Sequence, residues 1–413
     1  MDRSRGIPSW RRQRSLFPVL QDAVYLDHAT RAPLSTRVMD ALARWAQEAA
    51  RPHLGEPGAA TREGVRADAA RLLAADPAEI AFTSGAQQGL SLLLEGLDWR
   101  PGDQLVYSSA RSATSARSAA SAASARSATS ATSAFPGAAL PAAAHLAARE
   151  VEAVRLRLPS AAGPGALPPR EVAARTLELV EKSLTGVRTR LLLLPAVSPH
   201  DGARLDLANI GERCRERGVL LAVDASLALG ALPLEPGRLG IDFLVADAHR
   251  RLGSIEGTGL LYCHAGVASC VRSPDTGARA GRDARRFEAP GPAGAGIACL
   301  GAALALVLEL GVPAIAERIL ELGAYLAHGL EARGYRVRSP LLGAGASGIV
   351  CFASGPRWTA PLLRARLARH AVHVGLASHP SLGESGPADL LAVSPHFYND
   401  PLDLDQLLDA LPG

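Results

Sequence analysis

The chain has 413 residues and is 48% hydrophobic, enough for a large core and for a second, smaller unit beside it. A net charge of +4 gives no bulk attraction for nucleic acid or for an anionic membrane. Of the 44 basic residues only Lys182 is lysine, a bias that points to a GC-rich coding sequence rather than to a basic binding surface. The cysteines Cys214, Cys263, Cys270, Cys299 and Cys351 are scattered without a CxxC pair, so they read as buried reduced thiols of a cytoplasmic protein. No apolar run reaches the ~18 residues of a membrane span. The basic start, Met1 to Arg14, lacks the apolar stretch of a signal peptide.

In chain order, Trp10, Phe17 and Pro18 predict a short helix and turn that pack onto the body of the protein. Val38, Leu42 and Trp45 lie at helical spacing within Ser35–Ala50. Glu79–Thr83 predicts a strand, and Gly85–Gly96 a helix with Leu90, Leu93 and Leu94 on one face. Gln104–Tyr107, Leu191–Leu194, Leu220–Val223, Phe243–Val245 and Gly259–Tyr262 are apolar runs of strand length. A helix over Ile210–Arg217, ended by Gly218, lies between two of them. Continuously apolar strands alternating with helices predict an α/β unit, its sheet mainly parallel and covered on both faces.

After about residue 275 the texture changes. Gly296–Leu310 and Val312–Arg333 read as long helices broken at Gly311, Tyr335–Arg338 and Gly348–Phe352 as strands, and Leu404–Leu411 as a final helix. The expected division is an N-terminal segment 1–20, a large α/β unit 21–275 and a smaller α+β unit 276–413. Ser108–Ala134 contains only Ser, Ala, Arg and Thr, so it cannot bury a core and reads as an inserted low-complexity tract. Its three arginines are too few to indicate nucleic-acid binding.

Six short stretches, in order, resemble class V aminotransferases, the family of cysteine desulfurases, isopenicillin-epimerase-like proteins and kynureninases. They are Tyr25-Leu26-Asp27-His28-Ala29-Thr30, Phe82-Thr83-Ser84-Gly85-Ala86-Gln87, Val223-Asp224-Ala225-Ser226, Ala248-His249-Arg250-Arg251-Leu252 with Glu256-Gly257-Thr258-Gly259, Arg286-Phe287-Glu288-Ala289, and Ser394-Pro395-His396-Phe397-Tyr398-Asn399. The resemblance implies the fold-type-I fold of pyridoxal 5'-phosphate (PLP) enzymes, a large domain with a smaller C-terminal one. It also implies a dimer, with a second copy or an active homologue as partner.

The resemblance assigns roles residue by residue. Gly85, Ala86 and Gln87 fall on the phosphate turn, Asp224 on the aspartate that pairs with the ring nitrogen, and Asp247 on a phosphate-side serine. His249 is retained, and Arg250 stands where the family has its Schiff-base lysine. A guanidinium keeps its proton at neutral pH, so Arg250 offers no amine to an aldehyde and no base to an α-proton. Lys182 lies far in sequence from every motif. An Asp247 carboxylate about 5 Å from a phosphate charge costs about 3 kcal/mol at an effective dielectric near 20.

Other family positions are changed as well. Pro199 replaces an asparagine, Leu227 a glutamine, Pro290-Gly291 the position of a threonine, and Ala392 the arginine that grips a substrate carboxylate. The ring-stacking histidine expected after Tyr107 falls in the low-complexity tract, and the desulfurase cysteine is absent from Val374–Pro387, which holds Ser378, His379 and Ser381. His370 and His373 share a helix-like spacing without a third metal ligand. Three readings remain open: a degenerate enzyme with a structural or regulatory role, an unusual PLP- or amine-form enzyme using His249 and Arg250, and a residual transaminase or lyase.

Overall fold

The computed structural model describes residues 10–51, 53, 59–108, 145–159, 167–184, 188–272, 283–289, 293–354, 357–377 and 390–412. Of the low-complexity tract only Ser108 falls among them; Pro290, Gly291, Ser378, His379 and Ser381 also lie outside the described residues.

The N-terminal segment forms α1 (Trp10–Arg14) and then β1 (Val24–Leu26). Trp10 packs on Phe397 with ring centroids 5.9 Å apart, and Phe17 stacks on Tyr398 at 3.7 Å. Arg14 Nη1 donates to Asp403 Oδ2 at 2.7 Å. Aromatic burial and one charge-assisted bond thus hold the segment against the C-terminal residues.

Two helices follow, α2 (Thr36–Ala49) and α3 (Ala59–Leu73). Ser35 begins α2 as its cap, its side chain accepting the Val38 N–H. The chain then lays down β2 (Ile80–Thr83), α4 (Ala86–Gly96), β3 (Gln104–Tyr107), β4 (Glu152–Arg155), α5 (Pro169–Ser183) and β5 (Thr189–Pro195). Next come α6 (Leu207–Arg217), β6 (Leu220–Asp224), the single turn α7 (Pro236–Leu239), β7 (Phe243–Asp247) and β8 (Gly259–Cys263). Gly218 ends α6 with φ of 65°, the left-handed conformation that the sequence reading required of it.

These strands form one seven-stranded sheet in the order β2-β8-β7-β6-β5-β3-β4. All pairings are parallel except those of β8, which runs antiparallel to both β7 and β2. The connection from β7 to β8 spans only residues 248–258, too short for a parallel crossover of a dozen or more residues with its helix. Along β5, Leu191 and Leu193 enter one apolar cluster while Leu192 and Leu194 enter another. The period-two alternation puts apolar side chains on both faces, so Leu191–Leu194 has no polar position and reads as a continuous run.

The remainder supplies α8 (Gly294–Leu310), α9 (Val312–Ala332), β9 (Val350–Ala353), α10 (Ala360–Arg369), β10 (Val372–Ala377), β11 (Leu390–Val393) and α11 (Pro401–Ala410). A second sheet has the order β1-β10-β11-β9. Its first strand is the N-terminal Val24–Leu26, paired parallel with Val372–Val374. Tyr335–Arg338 does not form the expected strand. Only a bridge between Val337 and Phe352 is present, flanked by Arg338 N–H to Cys351 O at 2.8 Å and Ala353 N–H to Arg336 O at 3.1 Å. Pro340, which has no N–H, cannot extend the ladder. Among the described residues no single helix is long and apolar enough to cross a membrane.

Candidate functional site

In the parallel part of the large sheet, β5, β6 and β7 end side by side, with Pro195 opposite Asp224 and Asp224 opposite Val245. Crevices outside such carboxyl ends are where open α/β sheets place ligands. On the antiparallel side, Asp247 pairs with Gly259 and Gly259 with Thr83. That register sets Asp247 at the end of β7 beside the turn that opens α4.

At this turn Asp247 Oδ1 accepts the N–H of Ala86 at 2.9 Å. Its neighbours are satisfied from within the chain too. Ser84 N–H donates to Gln88 Oε1 at 2.6 Å, and Gly85 N–H to Thr83 Oγ1 at 3.4 Å. Gln87 is exposed. Gly85 has φ of 149°, and a Cβ there would lie 2.9 Å from Asp247 Oδ1. Only glycine meets both the backbone conformation and the close carboxylate. A carboxylate at a helix N-terminus is stabilised by the exposed N–H groups and the helix dipole.

The second oxygen of Asp247 meets Arg250, whose Nε donates to Oδ2 at 3.1 Å. Arg250 Nη1 donates to the Ala29 carbonyl at 2.5 Å. Ala29 N–H in turn donates to Ser394 Oγ at 2.9 Å, and Ser394 N–H to Leu26 O at 2.8 Å. Arg250 therefore joins the end of β7 to the loop after β1, and through it to Ser394 beyond β11. Arg250 is buried, with 8% of its surface exposed.

Asp224 is buried, its Oδ1 accepting the Ser226 N–H at 2.9 Å. Burial raises its carboxyl to about 6; the Ser226 bonds and Arg250 act to lower it, and Asp247 adds to the rise. His249 is half-buried and its backbone carbonyl accepts the Ala32 N–H at 2.9 Å. Burial lowers its imidazole below the ordinary value, with Asp247 opposing and Arg250 assisting. Lys182 sits on α5 and pairs with Glu178 at 2.7 Å. Leu227 and Ala392 are both buried apolar positions, and Ala392 pairs with Gly375 and Cys351 inside the second sheet.

Sequence reasoning singled out the six resemblance stretches but did not see what several of them hold together. Behind Arg250, the fully buried Arg251 donates Nη1 to Pro395 O at 2.9 Å. Its Nε and Nη2 have no partner among the described residues. His28 Nδ1 contacts Ser394 O at 2.7 Å and its Nε2 meets the Tyr398 hydroxyl. His396 Nε2 contacts the Arg251 carbonyl at 3.1 Å. Burial drives His28 down to about 3 and His396 well below its ordinary value. Glu288, of the Arg286-Phe287-Glu288 stretch, accepts from Arg66 Nη1 at 2.6 Å and from the Phe82 N–H at 3.0 Å. No single-sequence signal marked Arg66 or Arg251 as partners, because both contacts join residues over a hundred positions apart.

The seven-stranded sheet with its second, four-stranded sheet, and a site at the carboxyl ends of the parallel strands, define a fold-type-I PLP-dependent transferase fold. The family model for aminotransferase class-V matches residues 24–132 and 164–407. The chain belongs to this class V aminotransferase family, which is PLP-dependent and includes the cysteine desulfurases.

A probable cysteine desulfurase of Pseudomonas putida is 27% identical, with 96% of each chain covered. An uncharacterized aminotransferase, YcbU, of Bacillus subtilis is 26% identical over 54% of this chain. That match spans 59% of the Bacillus protein's own length, and a match to cysteine desulfurase IscS of Rickettsia felis spans 52% of its own. Among solved structures, the apo cysteine desulfurase from Thermococcus onnurineus NA1 superposes with a TM-score of 0.78 at 19% identity, covering 98% and 97% of the two chains. A C-DES variant with glycine covalently linked to its PLP cofactor gives 0.78 at 21%, covering 96% and 98%. At these identities the likeness is one of fold.

The residues at the site do not fit the cofactor. The turn that the resemblance assigns to a phosphate carries the Asp247 carboxylate on Ala86 N–H, and the position that it assigns to the amine holds a guanidinium bonded to Asp247 and Ala29. A phosphate there would have to displace a bound anion of its own sign.

Proposed function

We propose that this protein is a catalytically degenerate member of its family, with a structural or regulatory role. The observation that carries the reading is the commitment of Arg250 to Asp247 and to the Ala29 carbonyl. A group without a free amine, held by two bonds in a buried position, neither condenses with an aldehyde nor moves an α-proton. The site residues we assign are Arg250 and His249 at the catalytic position, with Gly85, Ala86, Gln87, Asp224 and Asp247 as the remnant of the cofactor shell.

The partner we assign is a second copy of this chain or an active homologue, because fold-type-I sites are built at a dimer interface. The working division is 1–20, 21–275 and 276–413. Five free cysteines fit a reducing compartment and a cytoplasmic location. The desulfurase reading requires a nucleophilic cysteine, and Val374–Pro387 contains none.

One observation favours a second reading. Burial lowers the His249 imidazole below its ordinary value, which favours the neutral form that a general base needs. That reading also needs Arg250 to bind a phosphate or a substrate carboxylate, and its guanidinium is already bonded to Asp247.

The test is to incubate the purified protein with excess PLP, record the visible spectrum, reduce with borohydride and map adducts by mass spectrometry. No visible band and no reduced adduct are expected. Tight binding of PLP or its amine form with turnover of an amino acid overturns the reading, whereas an adduct on the exposed Lys182 without turnover is surface labelling.

A further inference from the structure

The lost amine explains absent chemistry but not what became of the space. Asp247 has one oxygen on the first N–H of an eleven-residue helix and the other on a buried guanidinium. It also fixes its own strand, since Asp247 N–H donates to Ser226 Oγ at 3.0 Å. Arg250 then reaches Ala29, whose N–H holds Ser394. A continuous chain of bonds runs from α4 through β7 and the loop after β1 to the end of β11, across both sheets.

We propose that the Asp247–Arg250 pair is the occupant of the former cofactor site. The carboxylate takes the place of a phosphate on the α4 N-terminus, and the guanidinium latches the loop 27–30, and with it the four-stranded sheet, to the seven-stranded sheet. The fold is held closed at this point without a small molecule. The inference concerns the anion end of the site and stands apart from whether any chemistry persists. A protein that turned over an amino acid would overturn the proposed function and leave the latch to be judged by itself.

The geometry makes two demands. An occupied anion site does not take up a second anion, so the wild-type protein gains only the non-specific stabilisation that phosphate gives any folded chain. Removing only the carboxylate leaves a helix N-terminus and an unpaired buried guanidinium facing one another, which is a phosphate site. The latch also makes the two side chains act as one unit, so their effects on stability are non-additive.

The experiment measures thermal unfolding of the full chain in inorganic phosphate against chloride at equal ionic strength. It compares wild type, Asp247→Ser, Asp247→Asn, Arg250→Met and the double variant Asp247→Ser/Arg250→Met. Asn keeps the shape of the side chain and serves if the serine variant does not fold. The expected result is only the general salt effect for wild type, a rise in melting temperature beyond it with phosphate for Asp247→Ser or Asp247→Asn, and loss of that extra rise in the double variant. A wild-type protein stabilised by phosphate as much as the Asp247 variants overturns the proposal. So do Asp247 variants that gain nothing, and so does a double variant whose destabilisation is the simple sum of the two single ones.

Discussion

Arg250 Nε stands 3.1 Å from Asp247 Oδ2, three residues back along the chain, and both side chains are largely buried. The two side chains are therefore one structural unit. This bears on the obvious reversion. In Arg250→Lys the new ammonium would face the Asp247 carboxylate, which favours its charged form and opposes nucleophilic attack. The variant is expected to show no visible band and no borohydride-trapped adduct with PLP. A yellow, reducible protein would mean that the rest of the pocket is intact and that Asp247 gives way to the cofactor.

Asp224 tests the other end of the site. Its carboxyl is raised to about 6 by burial, so the native state holds its proton more tightly than the unfolded chain does. The stability this gives is complete below the unfolded value near 4 and is lost as pH rises through about 6. Asp224→Asn avoids that loss. It should stabilise the protein at pH 8 relative to pH 4 by about 2–3 kcal/mol against wild type, read from urea midpoints. Destabilisation at pH 8 would instead mark a carboxylate that the fold needs charged.

The buried histidines set an opposite dependence. His28 is lowered to about 3 and His396 falls well below its ordinary value. Both remain neutral in the native state, so their contribution is full above the unfolded value near 6.5 and is lost as pH falls. Each is worth up to about 1.4 kcal/mol per pH unit below that point. His28→Gln should therefore show a shallower fall in stability between pH 6.5 and 5 than wild type. Equal slopes would contradict a neutral, buried His28.

Arg251 is a buried cation with one hydrogen bond and two unpartnered nitrogens among the described residues. Burial lowers it to about 10. The cost of desolvating a charge without a close counter-ion exceeds the worth of one charge-assisted bond, roughly 1.5–3 kcal/mol. Arg251→Met is expected to stabilise the protein by about 1 kcal/mol in chemical denaturation. A marked loss would show that the guanidinium has a partner that offsets its burial.

Arg66 and Glu288 are a paired case. Their side chains are 1% and 2% exposed and 2.6 Å apart, and Glu288 also accepts the Phe82 N–H. Removing Glu288 leaves the buried Arg66 with only the exposed Glu63, 3.1 Å away, as counter-ion and strips the Phe82 N–H of its acceptor, so Glu288→Ala should cost about 3 kcal/mol. A cost below about 1 kcal/mol, the range of exposed pairs, would rule out the buried geometry. This glutamate belongs to a stretch recognised through its family resemblance, yet its contacts here are with the fold.

The sequence by itself determined most of the elements. Apolar runs located β2, β3, β5, β6, β7 and β8 to within a few residues, because strands buried on both faces must be apolar throughout. Leu90, Leu93 and Leu94 marked α4 and Gly218 the end of α6, since these follow from residue type and spacing alone. It could not decide which way a side chain turns or what lies across from it. Asp247 was legible as a charge near a phosphate turn, but only the register of β7, β8 and β2 brings its carboxylate onto Ala86. Arg250 was legible as an arginine, but its partner Ala29 lies 221 residues away and contributes a backbone carbonyl, which no side-chain pattern announces. The pairing of Val24–Leu26 with the C-terminal sheet was hidden for the same reason: contacts between distant segments are fixed by packing and strand register, and local sequence carries neither.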